Sequence, residues 1–489
     1  MLEASLATGD VERVQTVARM HVTGSRQPAY ASIIRGVNAM NAGRWSLART
    51  SFEAVHGDPG ANLMARLLLV WARTGEGHVD DVAPELARLS NMRPYGGLFS
   101  FQQAMALDVS GRNAAALTAY QTAEGGGLFL PPGTERHADL MARNGAREPS
   151  ATLLQNAIGR VANPELEAAA ARLHAGQPVA LKPLTPARGG AVGLYGLAAI
   201  FQQEADTSDA LAALTLATML DPDLDAARLA FAENQSELHH PDAVNAALAR
   251  IPDASPYSES AKVMQAWALA DAGRGDDAVM LARATAATGG ARSKRALADI
   301  YRTLMRYGDA EPIYTQLIDA TPGDQPQDWR LYFARGAARG ELNRWPEAEA
   351  DMRHALQLSP DQPEVLNYLG YSWVDRGEHL QEGLAMIQHA AELRPMSGAI
   401  VDSLGWAYFK LGRYDLAVDN LEHAVELMPA DPLLNDHLGD AYWRTGRLAE
   451  ARFQWSRALQ FQPEAEDVKG IQAKLDHGLA ARPETVSGG

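Results

Sequence analysis

Three histidines recur at equivalent places in the second half of the chain and are the first residues to consider as ligands. His354, His389 and His423 each directly precede an alanine, with spacings close to one repeat length. Each would take the same position on one of three stacked helices. Packed helices lie about 8–10 Å apart, whereas a metal–nitrogen bond is about 2 Å long. We therefore predict no metal site on this ladder and interpret the histidines as surface residues.

Signatures of catalysis and cofactor binding are missing from the sequence. It has no Gly-Lys dipeptide for a phosphate loop, no H-E-x-x-H zinc helix and no G-x-S-x-G elbow. It has no cysteine, which removes thiolate nucleophiles and iron–sulfur clusters. The 44 basic and 60 acidic residues give a net charge of −16, which argues against nucleic acid as a partner. We predict a protein that is not an enzyme and needs no cofactor.

Aromatic and charged side chains recur together on one face of three helices predicted near the end of the chain. They are offset from the apolar stripe that faces the core. The face carries Asn367, Tyr371, Val374, Asp375, Asp402, Trp406, Phe409, Lys410, Asp436, Asp440, Trp443 and Arg444. Aromatic anchors among polar groups supply much of the energy of protein interfaces, so this face is a candidate partner-binding groove. In the alternative interpretation, Trp406, Phe409 and Trp443 only pack between adjacent units.

The helices that must position this face belong to a repeat. The glycines of four successive units are spaced 34 or 35 residues apart, and each is followed by a small residue, an alanine and a proline at nearly constant distances. The glycines are Gly336, Gly370, Gly405 and Gly439. Apolar residues before each glycine follow the i, i+3, i+4, i+7 spacing of a helix face. Each unit is therefore predicted to be a pair of antiparallel helices that buries its apolar face by stacking on the next pair.

In these features the sequence resembles the tetratricopeptide repeat family, and weaker copies of the pattern extend towards the N-terminus. The best unit reads Leu404, Gly405, Tyr408, Ala417, Leu421, Ala424 and Pro429. The resemblance implies an all-α solenoid of about eleven helical hairpins in one or two superhelical arms, with the aromatic face on the concave surface. Chaperone-binding members clamp a terminal carboxylate with Lys, Asn and Arg. Asn367, Asp402 and Asp436 stand there instead, so we predict no such clamp.

The period divides the chain into four parts. We expect an N-terminal repeat arm over residues 1–130 and an irregular junction rich in proline and glycine over 131–190. A C-terminal superhelix is expected over 191–480, closed by an amphipathic capping helix. Residues 481–489 are expected to be a disordered tail.

A closer resemblance covers roughly residues 330 to 480, through LNYLGYSWVDRG, IVDSLGWAYFKLGRYDLAVDN and NDHLGDAYWRTGRLAEARFQW. The sequence of this segment is similar to that of proteobacterial repeat lipoproteins that act as adaptors of carboxyl-terminal processing proteases. The sequence departs from that group in lacking a signal peptide and a lipid-carrying cysteine. If an export segment is missing, we expect a periplasmic or outer-membrane-associated protein, and otherwise a cytoplasmic one. No segment has the roughly 20 apolar residues that a membrane span needs.

The sequence therefore favours a non-catalytic scaffold that binds other proteins, such as a processing protease and its substrates. The alternative is a regulatory arm of an enzyme, or of a secretion or polysaccharide assembly complex. We predict that the partner contacts the aromatic face, and that Asp402, Asp436 and Asp440 select against acidic ligands. The oligomeric state and the identity of the partner stay open.

Overall fold

The structure is a computed structural model that describes residues 5–20, 29–126, 128–321, 323 and 325–480. The expected tail over 481–489 lies outside these residues. Within them the chain forms 27 α-helices and one short 3₁₀ turn, and no strand. The predicted all-α solenoid class is confirmed. The helices fall into two compact units, an N-terminal unit up to Ile300 and a C-terminal unit from Tyr301 onwards.

The N-terminal unit contains sixteen described helices and most of a seventeenth, which extends past Ile300. They are α1 (Val11–Met20), α2 (Ala29–Asn41), α3 (Trp45–Glu53), α4 (Pro59–Gly75), α5 (Val79–Leu89), α6 (Gly96–Val109), α7 (Asn113–Gly125), α8 (Pro131–Arg143), α9 (Arg147–Arg160), α10 (Pro164–His174), α11 (Pro186–Gln203), α12 (Thr207–Leu220), α13 (Asp225–Glu237), α14 (Pro241–Leu248), α15 (Ser258–Asp271), α16 (Gly275–Thr288) and α17 (Ala291–Thr303).

The C-terminal unit contains the remaining ten helices and the 3₁₀ turn Pro326–Asp328. They are α18 (Tyr307–Asp319), α19 (Trp329–Glu341), α20 (Trp345–Leu358), α21 (Pro363–Arg376), α22 (Leu380–Leu393), α23 (Gly398–Lys410), α24 (Tyr414–Leu427), α25 (Pro432–Arg444), α26 (Leu448–Gln460) and α27 (Ala465–His477). Consecutive helices pair as hairpins, for example α21 with α22 and α23 with α24. The first helices of successive hairpins also touch, α21 with α23 and α23 with α25.

Local sequence sets the ends of these helices. The side chain of Asp431 accepts hydrogen bonds from the backbone N–H groups of Leu433 and Leu434, and Pro432 occupies the first position of α25. The turn inside a hairpin needs one residue with positive φ, which glycine adopts without strain. Gly412 and Gly446 fill this place at φ 76° and 82°, 34 residues apart.

The repeat glycines face bulky side chains of the paired helix. A Cβ atom added at Gly405 would lie 2.6 Å from Cγ of Leu421, and Gly439 lies in the same way against the Trp455 ring. At Gly370 the neighbour is the backbone oxygen of Gly383, as expected of a small residue. The glycine therefore serves mainly to seat a large apolar residue of the second helix, rather than to meet a small one.

The N-terminal unit differs from the expected arm and junction. Residues 131–190 contain three helices and the start of α11, and α8 pairs with α9 as a further hairpin. Helix α11 packs against α4 and α6. A single apolar core includes buried residues from Leu6 to Ala268. The helices on either side of the expected junction therefore share one core.

Glycines of α11 explain this packing. Gly189, Gly193 and Gly196 follow at i, i+4 and i+7 on one face of the helix, where they meet the ring of Trp71, the side chain of Gln102 and that of Leu98. An added Cβ atom at Gly193 would lie 2.6 Å from Oε1 of Gln102. These glycines form a close helix contact and not the turn that a glycine-rich stretch suggests.

Candidate functional site

The eleven residues predicted to bind a partner lie on α21, α23 and α25, the first helices of three successive hairpins. Only Asp375 is exposed, and Asp402 and Asp440 are buried. The others are half-buried: Asn367, Tyr371, Trp406, Phe409, Lys410, Asp436, Trp443 and Arg444. The predicted face is therefore partly a packed layer between the helices and partly an accessible surface.

An aromatic stack forms the centre of this face. The Trp406 ring lies 4.8 Å from that of Phe409 and 4.0 Å from that of His437, at interplanar angles of 9° and 13°. Such offset stacks add to the stabilisation from burial alone. Trp406 therefore joins its own helix α23 to His437 on the following helix α25, as the packing interpretation of the sequence proposed.

A buried ion pair lies beside the stack. Nδ1 of His437 is 3.0 Å from both carboxylate oxygens of Asp402, and the two side chains are 7% and 6% exposed. Burial alone lowers the pKa of His437, but the carboxylate of Asp402, with those of Asp436 and Asp440, outweighs it and raises the pKa above its ordinary value. Asp402 is therefore neutralised inside the protein and is not available to a ligand.

The accessible part of the face lies at its other end. We call it the open patch, and it consists of Tyr371, Asp375, Trp406, Phe409 and Lys410. Nζ of Lys410 lies 3.0 Å from Oδ1 of Asp375 and 5.7 Å from the centre of the Trp406 ring. Burial, with the charges of Asp375 and Asp402, raises the pKa of Tyr371 to about 12. The patch thus offers a half-buried phenol, part of an indole ring whose Nε1 is buried, and an ion pair that water can reach.

The last part of the face is covered by α27. Nζ of Lys474 on that helix lies 2.7 Å from Oδ2 of Asp436 and 2.9 Å from Oδ2 of Asp440. Gly478 after the helix packs against the Trp443 ring. Burial raises the pKa of Asp440, and Lys474 opposes the shift. The carboxylates that the sequence suggested would repel acidic ligands are therefore occupied by internal cations.

Sequence reasoning missed both of these cations. His437 occupies no position of the repeat pattern, and Lys474 lies beyond the last repeat, so neither belonged to the predicted stripe. A signal was present for Lys474, because a capping helix has to supply a cation where it covers two carboxylates. Nothing in the spacing of the sequence marks His437 as the partner of Asp402.

The histidine ladder has separate local contacts. Nε2 of His389 lies 2.8 Å from Oδ1 of Asp361, and the His354 ring lies 4.3 Å from that of Tyr332 at a tilt of 57°. His423 pairs with Glu426 on its own helix at 3.5 Å. Across the described ranges, no group of three or more His, Asp or Glu side chains is arranged to hold a metal ion. Nor does any described helix have both the length and the apolar character that crossing a membrane requires.

Comparison with known families identifies the repeat. Residues 405–446 match a family model described as a TPR repeat, and residues 263–325 match one described as a tetratricopeptide repeat. The first stretch contains the end of α23, with Trp406 and Phe409, all of α24, and all of α25, with Trp443. The chain therefore contains tetratricopeptide repeats.

Relatives resemble the chain over limited stretches. A TPR repeat-containing protein of Pseudomonas aeruginosa is 33% identical over 88 residues, which are 18% of this chain and 15% of that protein. A tetratricopeptide repeat protein from Parabacteroides merdae is 14% identical, and the match covers 58% of this chain and 97% of that one at a TM-score of 0.40. MamA from Desulfovibrio magneticus is 16% identical, and the match covers 35% of this chain and 94% of that one at a TM-score of 0.31.

Proposed function

We propose that this chain is a non-catalytic scaffold that binds a partner protein at the open patch of its C-terminal unit. The observation that carries the proposal is the stacked pair of Trp406 and Phe409, which stays half-exposed at the junction of successive tetratricopeptide repeats. Accessible aromatic clusters on proteins mark interaction sites. The repeat class supports the same conclusion, because solenoids present extended surfaces to partners.

The ion pair at the rim of the patch supplies a test that leaves the core intact. Asp375 is exposed, and the side chain of Lys410 is one-third exposed. We expect Lys410→Glu to weaken partner capture, because it reverses a charge at the rim and adds repulsion from Asp375. The double exchange Lys410→Glu with Asp375→Lys restores the internal pair but keeps the charges inverted. A partner whose binding depends on the sign of these two charges should bind both variants more weakly than the parent chain.

The control for this pair is the similar ion pair of Arg353 and Glu349 on the second helix α20, 2.9 Å apart. Exchanging its charges should leave capture unchanged, since it lies on a different helix of the hairpin. Equal capture by the parent, by Lys410→Glu and by the control exchange would exclude the open patch as the binding site. Thermal melts of all variants separate lost binding from lost folding.

The finer proposal is that the partner is a carboxyl-terminal processing protease, with this chain presenting the protease's substrates in the periplasm. Its support is the sequence resemblance over roughly residues 330 to 480. Purified protease from the same organism should co-elute with the chain in size-exclusion chromatography and lose that co-elution with Lys410→Glu. Separate elution of protease and chain at micromolar concentrations would remove this assignment and leave the scaffold proposal standing.

A further inference from the structure

A groove on the N-terminal unit has the character of a second binding site. Its walls come from α11, α13, α15 and the start of α17, alternate helices of successive hairpins, and it encloses a cavity of about 520 Å³. The lining residues that matter for ligand chemistry are Tyr195, Leu229, Glu233, Met264, Trp267 and Arg292. A volume of this size accommodates a few amino-acid side chains.

Helical spacing brings these side chains to one surface. Leu229 and Glu233 are i and i+4 on α13, and Ser260, Met264 and Trp267 are i, i+4 and i+7 on α15. Tyr195 is contributed by α11 and is half-buried, as is Trp267. The groove thus joins an aromatic and aliphatic wall to one acidic side chain.

Glu233 is the acidic group without a counter-ion. It makes no ion pair or hydrogen bond within the described part of the chain. Burial raises the pKa of Glu233, and Glu237 on the same helix adds to the shift. The neighbouring acid Glu165 already has a partner, because the Tyr257 hydroxyl donates a hydrogen bond to its Oε2 at 2.9 Å. Glu233 itself is exposed to water at the groove. A cation entering the groove would therefore meet an accessible carboxylate that no cation of the described residues holds.

Arg292 limits how much positive charge the groove accepts. Its side chain is exposed and lines the same cavity, with Nη1 3.5 Å from Oγ of Ser260. If the ligand carried two cations, one of them would lie near this guanidinium and be repelled by it. The charge pattern fits a ligand with one basic side chain beside apolar ones.

We propose that this groove, which we call the N-terminal groove, binds a segment of a partner protein through a single lysine or arginine next to a bulky apolar residue. The cation pairs with Glu233, and its aliphatic stem lies along Leu229 and Met264. The faces of Trp267 and Tyr195 favour a cation further. This inference does not depend on the open patch, because the two sites lie in different units and share no residue.

The test uses random 12-residue peptides displayed against the full chain. Peptides that still bind a chain with the reversed charge, Glu233→Lys, are removed in each round. We expect the survivors to carry one Lys or Arg beside Leu, Phe or Met. In fluorescence anisotropy Glu233→Gln should weaken them about threefold to tenfold, while Glu233→Asp keeps most of the affinity. Trp267→Leu should also weaken them.

The matched control is Glu237→Gln, which removes the same charge one turn along the helix, outside the cavity, and should change affinity less than about twofold. Phe409→Ala in the open patch should have no effect, which separates this site from the proposed function. The inference is overturned if no peptide survives the selection, if the survivors lack a basic residue, or if Glu237→Gln weakens them as much as Glu233→Gln.

Discussion

Nδ1 of His437 lies 3.0 Å from both carboxylate oxygens of Asp402, 35 residues earlier in the chain. The pair connects α23 to α25, the first helices of adjacent repeats, at a place where both side chains are buried. Breaking a buried pair leaves an uncompensated charge, which costs more than the pair itself contributes. The contact between these two repeats is therefore sensitive to the protonation of one histidine.

Stability should depend on pH through His437. Its pKa is raised in the folded protein above the ordinary value of about 6.5. The stabilisation is therefore complete below pH 6.5 and is lost as the pH rises through the raised pKa. We expect the melting temperature of the parent to exceed that of His437→Gln by more at pH 5.5 than at pH 8.5.

The control for this titration is His389→Gln, since His389 pairs with Asp361 on the exposed surface. Solvent screens such a pair, so its replacement should shift the melting temperature little at either pH. A difference between the parent and His437→Gln that stays constant across the pH range would contradict the role given to the buried pair.

Helix α27 should depend on Lys474. Only Ile471 of that helix is buried, and Lys474 bridges the half-buried Asp436 and the buried Asp440. Lys474→Ala should cost about 1–3 kcal/mol, because two carboxylates then lie together without a cation. Hydrogen exchange over residues 465–477 should accelerate. Adding Asp440→Asn should recover part of the loss, and Lys469→Ala on the exposed side of α27 should change nothing.

Two glycine replacements should have opposite effects. Gly405→Ala places a Cβ atom 2.6 Å from Leu421 and should destabilise the protein by about 1–3 kcal/mol. Gly470 in the middle of α27 has nothing within 4 Å of the equivalent position. Gly470→Ala should therefore stabilise that helix by about 0.5–1 kcal/mol. Thermal melts that move in the same direction for both variants would show that the Gly405 contact is not tight.

Much of the fold followed from the sequence because the repeat pattern is local. The distances from Gly405 to Ala417, Ala424 and Pro429 specify two helices and a stop, which the structure has as α23 and α24. The hairpin of α8 and α9 was missed because Ala138 stands in place of the repeat glycine and no proline follows it at the usual distance, although Ala157 keeps the alanine position. Its turn at Gly145 comes 34 residues after the one at Gly111, and that spacing was the available signal.

The role of α11 could not be read from local patterns, since glycine marks a turn in one context and a close helix contact in another. The structure gives a direct test of this. A fragment of residues 1–300 should fold, because it keeps α11 against α4 and α6. A fragment of residues 191–480 removes those partners, exposes Leu194 and Leu197, and should aggregate. A soluble 191–480 fragment with full helicity by circular dichroism would show that α11 does not need them.

The periodicity predicted which residues share the candidate face, but not which charges meet there. Periodicity predicts which residues share a face, and Tyr371, Trp406 and Phe409 do lie on successive first helices. Periodicity does not predict which charges meet across helices. Asp402 pairs with His437 from the next repeat, and Asp440 with Lys474 from a helix outside the pattern. Those pairings depend on tertiary packing.

The most direct test of the scaffold function is site-specific photo-crosslinking in the native organism. A benzophenone amino acid replaces Asp375, the exposed member of the open patch, and in a second strain replaces Glu426, which is exposed on the second helix α24. We predict one discrete crosslinked protein from position 375 and none from position 426, with the product lost when Lys410→Glu is added. The same set of products from both positions, or no product from position 375, would contradict the account.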